Sequence, residues 1–256
     1  MFEPAVPSRR LGASGLPGLT DRLALARAEA PEGVHGPPLP LMLAELEALA
    51  EPIRRIGRRM DIPQAAEPKL VMLLPGFATH PVRMRYMARQ LEKAGHTVKQ
   101  WGMGFNLGAS EQAFERISGR IEAIHKRYGC KMVLVGWSLG GIFAREMAKR
   151  HPQAVEKVIT MGSPFSGDPH ANNAWRAYQF IAGHPVDRPP IQADVAAKPP
   201  VETVALWSPR DGIVSPRSAR GKPGERDRAV ALRCNHLGFA YSPQCIAAVL
   251  RELESA

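Results

Sequence analysis

From Lys69 to the C-terminus the chain alternates short apolar runs with longer amphipathic stretches, and nothing else in it restricts the fold so tightly. Lys69–Leu74 (KLVMLL), Lys131–Val135 (KMVLV), Val155–Met161 (VEKVITM), Glu202–Trp207 (ETVALW) and Ala229–Arg233 (AVALR) have the length of buried strands, and His96–Trp101 (HTVKQW) alternates as a sixth. Between them, Pro81–Ala94 reads as a helix stopped at Gly95, and Leu139–Arg150 and Ser242–Glu254 read as two more. The clearest helix is Ser110–Tyr128: Phe114, Ile117, Ile121, Ile124 and Tyr128 share one face, Ser110 is placed to cap it and Gly129 to stop it. Strands that alternate with helices require right-handed crossovers. The expected architecture is therefore α/β, with a mostly parallel sheet of about six strands flanked by helices. Such sheets bind ligands outside the carboxyl ends of their strands, so chemistry is expected in the loops that follow strands.

Two regions depart from this rhythm. Residues 1–68 read as a partly mobile N-terminal helical extension, and residues 69–256 as the main domain. Up to about residue 38 the extension is rich in Pro, Gly, Arg and Ala, with one short helical candidate at Thr20–Ala30. From Leu39, the residues Met42, Leu46, Leu49, Ile53, Ile56 and Met60 recur on one helical stripe, with Arg54, Arg55, Arg58 and Arg59 off it. A helix of this kind either lies on an anionic membrane surface or packs across the domain, and packing is the commoner fate. The second departure is the Pro-rich insertion at 165–200, where Trp175, Tyr178, Phe180 and Ile181 stand among polar residues.

Composition narrows the function classes. A net charge of +10 favours anionic surfaces, but no aromatic-plus-basic motif points to nucleic acid. Cys130, Cys234 and Cys245 cannot complete a disulfide set, although a 234–245 bridge stays open, and no Cys/His cluster suggests a metal. Without an apolar leader or a membrane-length apolar run, a cytoplasmic protein is expected.

Gly136-Trp137-Ser138-Leu139-Gly140 fits G-x-S-x-G between an apolar strand and an amphipathic helix, the setting of a nucleophile elbow. Glycines flank the serine because a side chain at 136 or 140 would strike neighbouring backbone. The helix N-terminus beneath Ser138 favours developing negative charge, and the Leu139 N–H is one candidate oxyanion donor. A serine needs a base, and the base an orienting carboxylate. Asp211 follows the fifth strand and His236 the sixth, completing the chain order Ser138, Asp211, His236. Asp168, after the fourth strand, is the rival acid; its plainer role is a turn residue before Pro169. His236 is preferred over the other histidines by its place after a strand, since His80 belongs to the loop assigned to the oxyanion hole. In that loop, Leu74–His80, Gly76 allows close backbone approach and the Phe77 N–H is the second candidate donor.

With these residues in hand, the chain from Lys69 resembles the α/β-hydrolase superfamily, and more narrowly its small bacterial-type lipases and esterases. The resemblance rests on PGF at 75–77, GWSLGG at 136–141, GSPFSG at 162–167, DGIV at 211–214 and NHLG at 235–238. It implies a Ser138–Asp211–His236 triad, a two-donor oxyanion hole, acyl-enzyme chemistry and no cofactor. In lipase relatives an insertion at 165–200 covers the acyl pocket, so a cap or lid is expected there, the alternative being a long surface loop. The expected activity is hydrolysis of a small-molecule or lipid carboxylic ester. A thioesterase or acyltransferase would use the same triad, and a non-catalytic interaction protein would keep only the fold.

Overall fold

A computed structural model of the chain describes residues 17–50, 60–191 and 193–255. Among these, six parallel strands form one sheet: β1 (Leu70–Leu74), β2 (Thr97–Gln100), β3 (Met132–Trp137), β4 (Val155–Met161), β5 (Glu202–Trp207) and β6 (Arg228–Ala231). Their order is β2-β1-β3-β4-β5-β6, so the chain starts inside the sheet, steps to one edge, and returns across β1 to the other. Each expected strand is present. The third runs through Gly136 and Trp137, so the sheet carries the chain up to the residue before Ser138.

The helices are α1 (Leu19–Ala26), α2 (Leu39–Ala44), α3 (Arg85–Lys93), α4 (Glu111–Tyr128), α5 (Leu139–Arg150), α6 (Trp175–Ala182), α7 (Pro216–Arg220) and α8 (Pro243–Glu254). Strand side chains alternate between the two faces, and each face has its own helical cover. Val71 and Leu73 pack with Met87 and Leu91 of α3 and Ile246 and Val249 of α8. Leu70, Met72 and Leu74 pack on the other side with Ile117 and Ile121 of α4 and Phe143 and Met147 of α5. On α4, Phe114, Ile117, Ile121 and Ile124 are buried as their spacing demands; Ser110 Oγ accepts from Ala113 N at 3.1 Å, and Gly129 ends the helix at φ 67°.

The extension differs from the sequence expectation. The stripe beginning at Met42 is not continued as one α-helix: α2 ends at Ala44 and a 3₁₀ turn follows over Glu45–Ala50. Glu45 and Ala48 are buried, whereas Met42 and Leu46 are 42% and 62% exposed, so the face turned inward is not the most apolar one. The cause is polar: the Glu45 carboxylate finds backbone N–H groups beneath it. Ile53, Ile56 and the four arginines beside the stripe lie outside the described residues, as do residues 1–16. Helix α1 occupies part of the expected Thr20–Ala30 segment and packs on α6. There Arg22 donates to the carbonyls of Phe180 (2.8 Å) and Ile181 (2.6 Å), and Leu25 O accepts from Gln179. No helix among the described residues is long and apolar enough to cross a membrane. All three cysteines are free, so no 234–245 bridge forms.

Candidate active site

Ser138 stands between β3 and α5 at φ 53°, ψ −122°, one of two non-glycine residues with positive φ among those described. A side chain held there is strained, and the surroundings must fix it. Ser138 N donates to Met161 O of β4 at 2.8 Å, and Gly141 N donates to Ser138 O at 3.0 Å. The flanking glycines are required by contact: a Cβ on Gly136 would lie 2.5 Å from Gly141 Cα, and one on Gly140 would strike Leu74 O and sit 2.7 Å from Pro75 O. Gly140→Ala is therefore expected to cost about 1–3 kcal/mol of stability, the usual penalty for overpacking a close contact. Urea unfolding against the parent protein measures it, and an unchanged midpoint would refute the contact argument.

The Pro75–Thr79 loop approaches the serine directly: a Cβ on Gly76 would lie 3.2 Å from Ser138 Cβ. The loop is held by Asn106, wholly buried, whose Nδ2 donates to Pro75 O (2.8 Å) and whose backbone carbonyl accepts from Ala78 N (2.7 Å). The sequence reading missed Asn106; it lies in an irregular stretch with no periodic signal. Among the described residues, neither Phe77 N–H nor Leu139 N–H is given to a protein acceptor, and both residues line the same cavity as Ser138.

His236 and Asp211 are buried together, with His236 Nδ1 2.8 Å from Asp211 Oδ2. The other carboxylate oxygen, Oδ1, accepts from Ile213 N (2.9 Å) and Val214 N (2.7 Å), which fixes the carboxylate plane. The residue before the serine also holds the histidine loop: Trp137 Nε1 donates to His236 O at 3.1 Å, with the two ring centroids 5.9 Å apart. Burial pushes the His236 imidazole toward lower pKa. The Asp211 charge, its hydrogen bond and the Glu45 charge outweigh burial, and the net direction is upward. Asp168 is engaged elsewhere, accepting from His170 N at 2.8 Å and lying 2.8 Å from His170 Nδ1. His80 caps the 3₁₀ turn Pro81–Met84 and packs edge-on against Phe105.

The cavity at Ser138 has a volume of about 140 Å³ and is walled by apolar side chains, including Ile142, Trp175, Tyr178 and Ile191. Trp175 and Tyr178 lie on α6, a helix the sequence reading left as irregular insertion. The insertion is tied down at its far end by Arg145 of α5. This wholly buried guanidinium donates to the carbonyls of Val195, Ala196 and Ala197 at 3.0–3.1 Å and stacks on Phe165; burial lowers its pKa to about 10.

Residues 69–182 match the family described as alpha/beta hydrolase fold. Among solved structures, the chain is similar to a lipase from Bacillus licheniformis at 18% identity, covering 78% of this chain and 97% of that one with a TM-score of 0.54. It is similar to the monoacylglycerol lipase of Paleococcus ferrophilus at 17% identity, 75% and 96% coverage and a TM-score of 0.51. For lipase B of Aspergillus fumigatus the identity is 18% and the TM-score 0.55, with 74% of this chain covered but 53% of the other. No curated protein matches the chain in sequence. At these identities the likeness is one of fold. The chain has the α/β-hydrolase fold, and over residues 69–182 it matches that family.

Proposed function

We propose that the chain is a serine hydrolase cleaving carboxylic esters through an acyl-enzyme on Ser138. The observation that carries this reading is the strained Ser138, exposed to an apolar cavity beside two unused N–H groups, with the buried His236–Asp211 pair held against its neighbour Trp137. In the first step Ser138 Oγ forms a bond to the ester carbonyl carbon while His236 Nε2 takes the hydroxyl proton. The carbonyl oxygen becomes the oxyanion and receives the Phe77 and Leu139 N–H groups. One such donor is worth about 10²–10³ in rate. Collapse of this intermediate breaks the bond to the alkoxy oxygen, and the imidazolium returns its proton to the leaving alcohol. Water, deprotonated by the same imidazole, then attacks the acyl carbonyl and releases the carboxylic acid and Ser138. Asp211 keeps the proton of the resting imidazole on Nδ1, leaving Nε2 free to act as base.

The cavity gives the acyl group its size. An apolar protein cavity of about 150 Å³ takes up benzene, so one of 140 Å³ suits an acyl chain of about six carbons. The insertion at 165–200, which supplies Trp175 and Tyr178 to the wall, acts as the cap over that chain. A series of p-nitrophenyl esters tests both statements. Turnover is expected to peak between butyrate and octanoate and to fall for palmitate. A rate rising steadily to palmitate would contradict the cavity argument, and no turnover at any length by folded protein would contradict ester hydrolysis.

A further inference from the structure

The acid and base loops are joined by a side chain that precedes the first strand. Glu45, 5% exposed, opens the 3₁₀ turn after α2. Its Oε1 accepts from Gly212 N at 2.9 Å and from His236 N at 2.7 Å, and its Oε2 accepts from Leu237 N at 2.9 Å. The donors are the residue after Asp211, the histidine itself and the residue after the histidine. One carboxylate thus bridges the β5 and β6 loops at the pair whose separation sets the His236–Asp211 hydrogen bond. The surrounding segment is fitted to the same place. Asn235 Nδ2 donates to Ala44 O at 3.3 Å, Asn173 Nδ2 donates to both Pro37 O (3.0 Å) and Gly212 O (2.8 Å), and a Cβ on Gly212 would lie 2.5 Å from the carbonyl carbon of Leu41.

We propose that Glu45 is a positioning residue for the His236 base, so that residues 36–45 complete the active site rather than decorate the domain. The proposal rests on the reading of Ser138, Asp211 and His236 as the triad. Three N–H groups converging on one carboxylate fix its oxygens, and through them the backbone of His236. The same carboxylate contributes a second negative charge near an imidazole that must carry a proton during each chemical step. The ionisable groups around His236 are Asp211 from the β5 loop, Glu45 from the turn after α2, and Cys234 two residues before it; Trp137 and Phe239 supply neutral rings. Glu45 is absent from the residues lining the Ser138 cavity, so its effect falls on the chemical step more than on substrate binding.

Glu45→Gln is the test. It preserves shape but removes the charge and turns an amide NH₂ toward the Leu237 N–H. With p-nitrophenyl hexanoate, kcat is expected to fall about 10- to 100-fold, as when a group that orients another is lost. KM is expected to change by less than about threefold. The acidic limb of kcat/KM is expected at lower pH than in the parent protein, because one of the charges that favour the imidazolium is gone. Glu45→Asp keeps the charge on an arm one methylene shorter, so its acidic limb should stay in place while kcat is reduced. A Glu45→Gln protein with parental kcat and an unmoved acidic limb overturns the proposal. Should that variant not fold, Glu45→Asp decides the matter, parental kcat standing against the proposal and reduced kcat with the limb in place supporting it. Ser138→Ala on the same substrate separates the two readings, since activity surviving that substitution would remove the triad itself, whatever Glu45 does.

Discussion

Ser138→Ala is expected to lose about 10⁶-fold in kcat on p-nitrophenyl hexanoate while folding as the parent does, the loss typical of removing a serine nucleophile. The substitution keeps the Cβ that already occupies the φ 53° position, so it adds no backbone strain beyond what Ser138 carries. The backbone bonds that hold the turn, Ser138 N to Met161 O and Gly141 N to Ser138 O, do not involve the hydroxyl. What disappears is the atom that would form the acyl bond. Initial rates and thermal unfolding on one preparation measure both halves of the expectation. A rate within tenfold of the parent would place the chemistry on another residue.

Asp211→Asn is expected to lower kcat by about 10⁴-fold, the cost of stabilising the wrong imidazole tautomer. The asparagine Oδ1 can still accept from Ile213 and Val214 N–H, so the loop keeps its anchor. Its amide NH₂, however, faces Nδ1 as a donor, drives the imidazole proton to Nε2 and blocks the base. A second effect follows from charge. The His236 pKa is raised only because Asp211, assisted by Glu45, outweighs burial; without Asp211 burial dominates and the pKa falls. In the proposed mechanism the base works when neutral, so activity is expected to be lost as pH drops through the His236 pKa. In the parent protein that loss is expected above the ordinary histidine value of about 6.5, and in Asp211→Asn at lower pH. A pH profile of the residual kcat/KM checks the direction, and a limb that moves upward would contradict it.

The sheet was legible because five strands are short apolar runs and the sixth alternates, and because serines cap α4 and α8. The tight turn at Ser138 was legible for a related reason: the glycines at 136 and 140 answer to contacts within a few residues and with the adjacent β1 end, so spacing alone exposes them. Asp211 and His236 could be placed by topology, since both follow strands that the alternation identifies. Glu45 could not. Its partners lie 167 to 192 residues away in the chain, and a glutamate beside a leucine-rich stripe looks like an exposed face. Where Glu45 turns inward to meet three N–H groups, Met42 and Leu46, the first two residues of the apolar stripe, stay exposed. Helix α6 was hidden by its Pro-rich flanks and by its brevity, its inner side being Trp175, Tyr178 and the polar Gln179. Asn106 belongs to the same class as Glu45, a buried polar side chain that satisfies distant backbone and leaves no pattern of its own.

Covalent capture of the nucleophile tests the central claim most directly. The protein is incubated with a fluorophosphonate ester, and the adduct is located by peptide mass spectrometry. A single phosphonyl group on the peptide bearing Ser138, absent from Ser138→Ala and much slowed in His236→Ala, is the expected result. Folded protein that takes up no label while still hydrolysing p-nitrophenyl hexanoate, or that carries the label on another residue, would contradict the account.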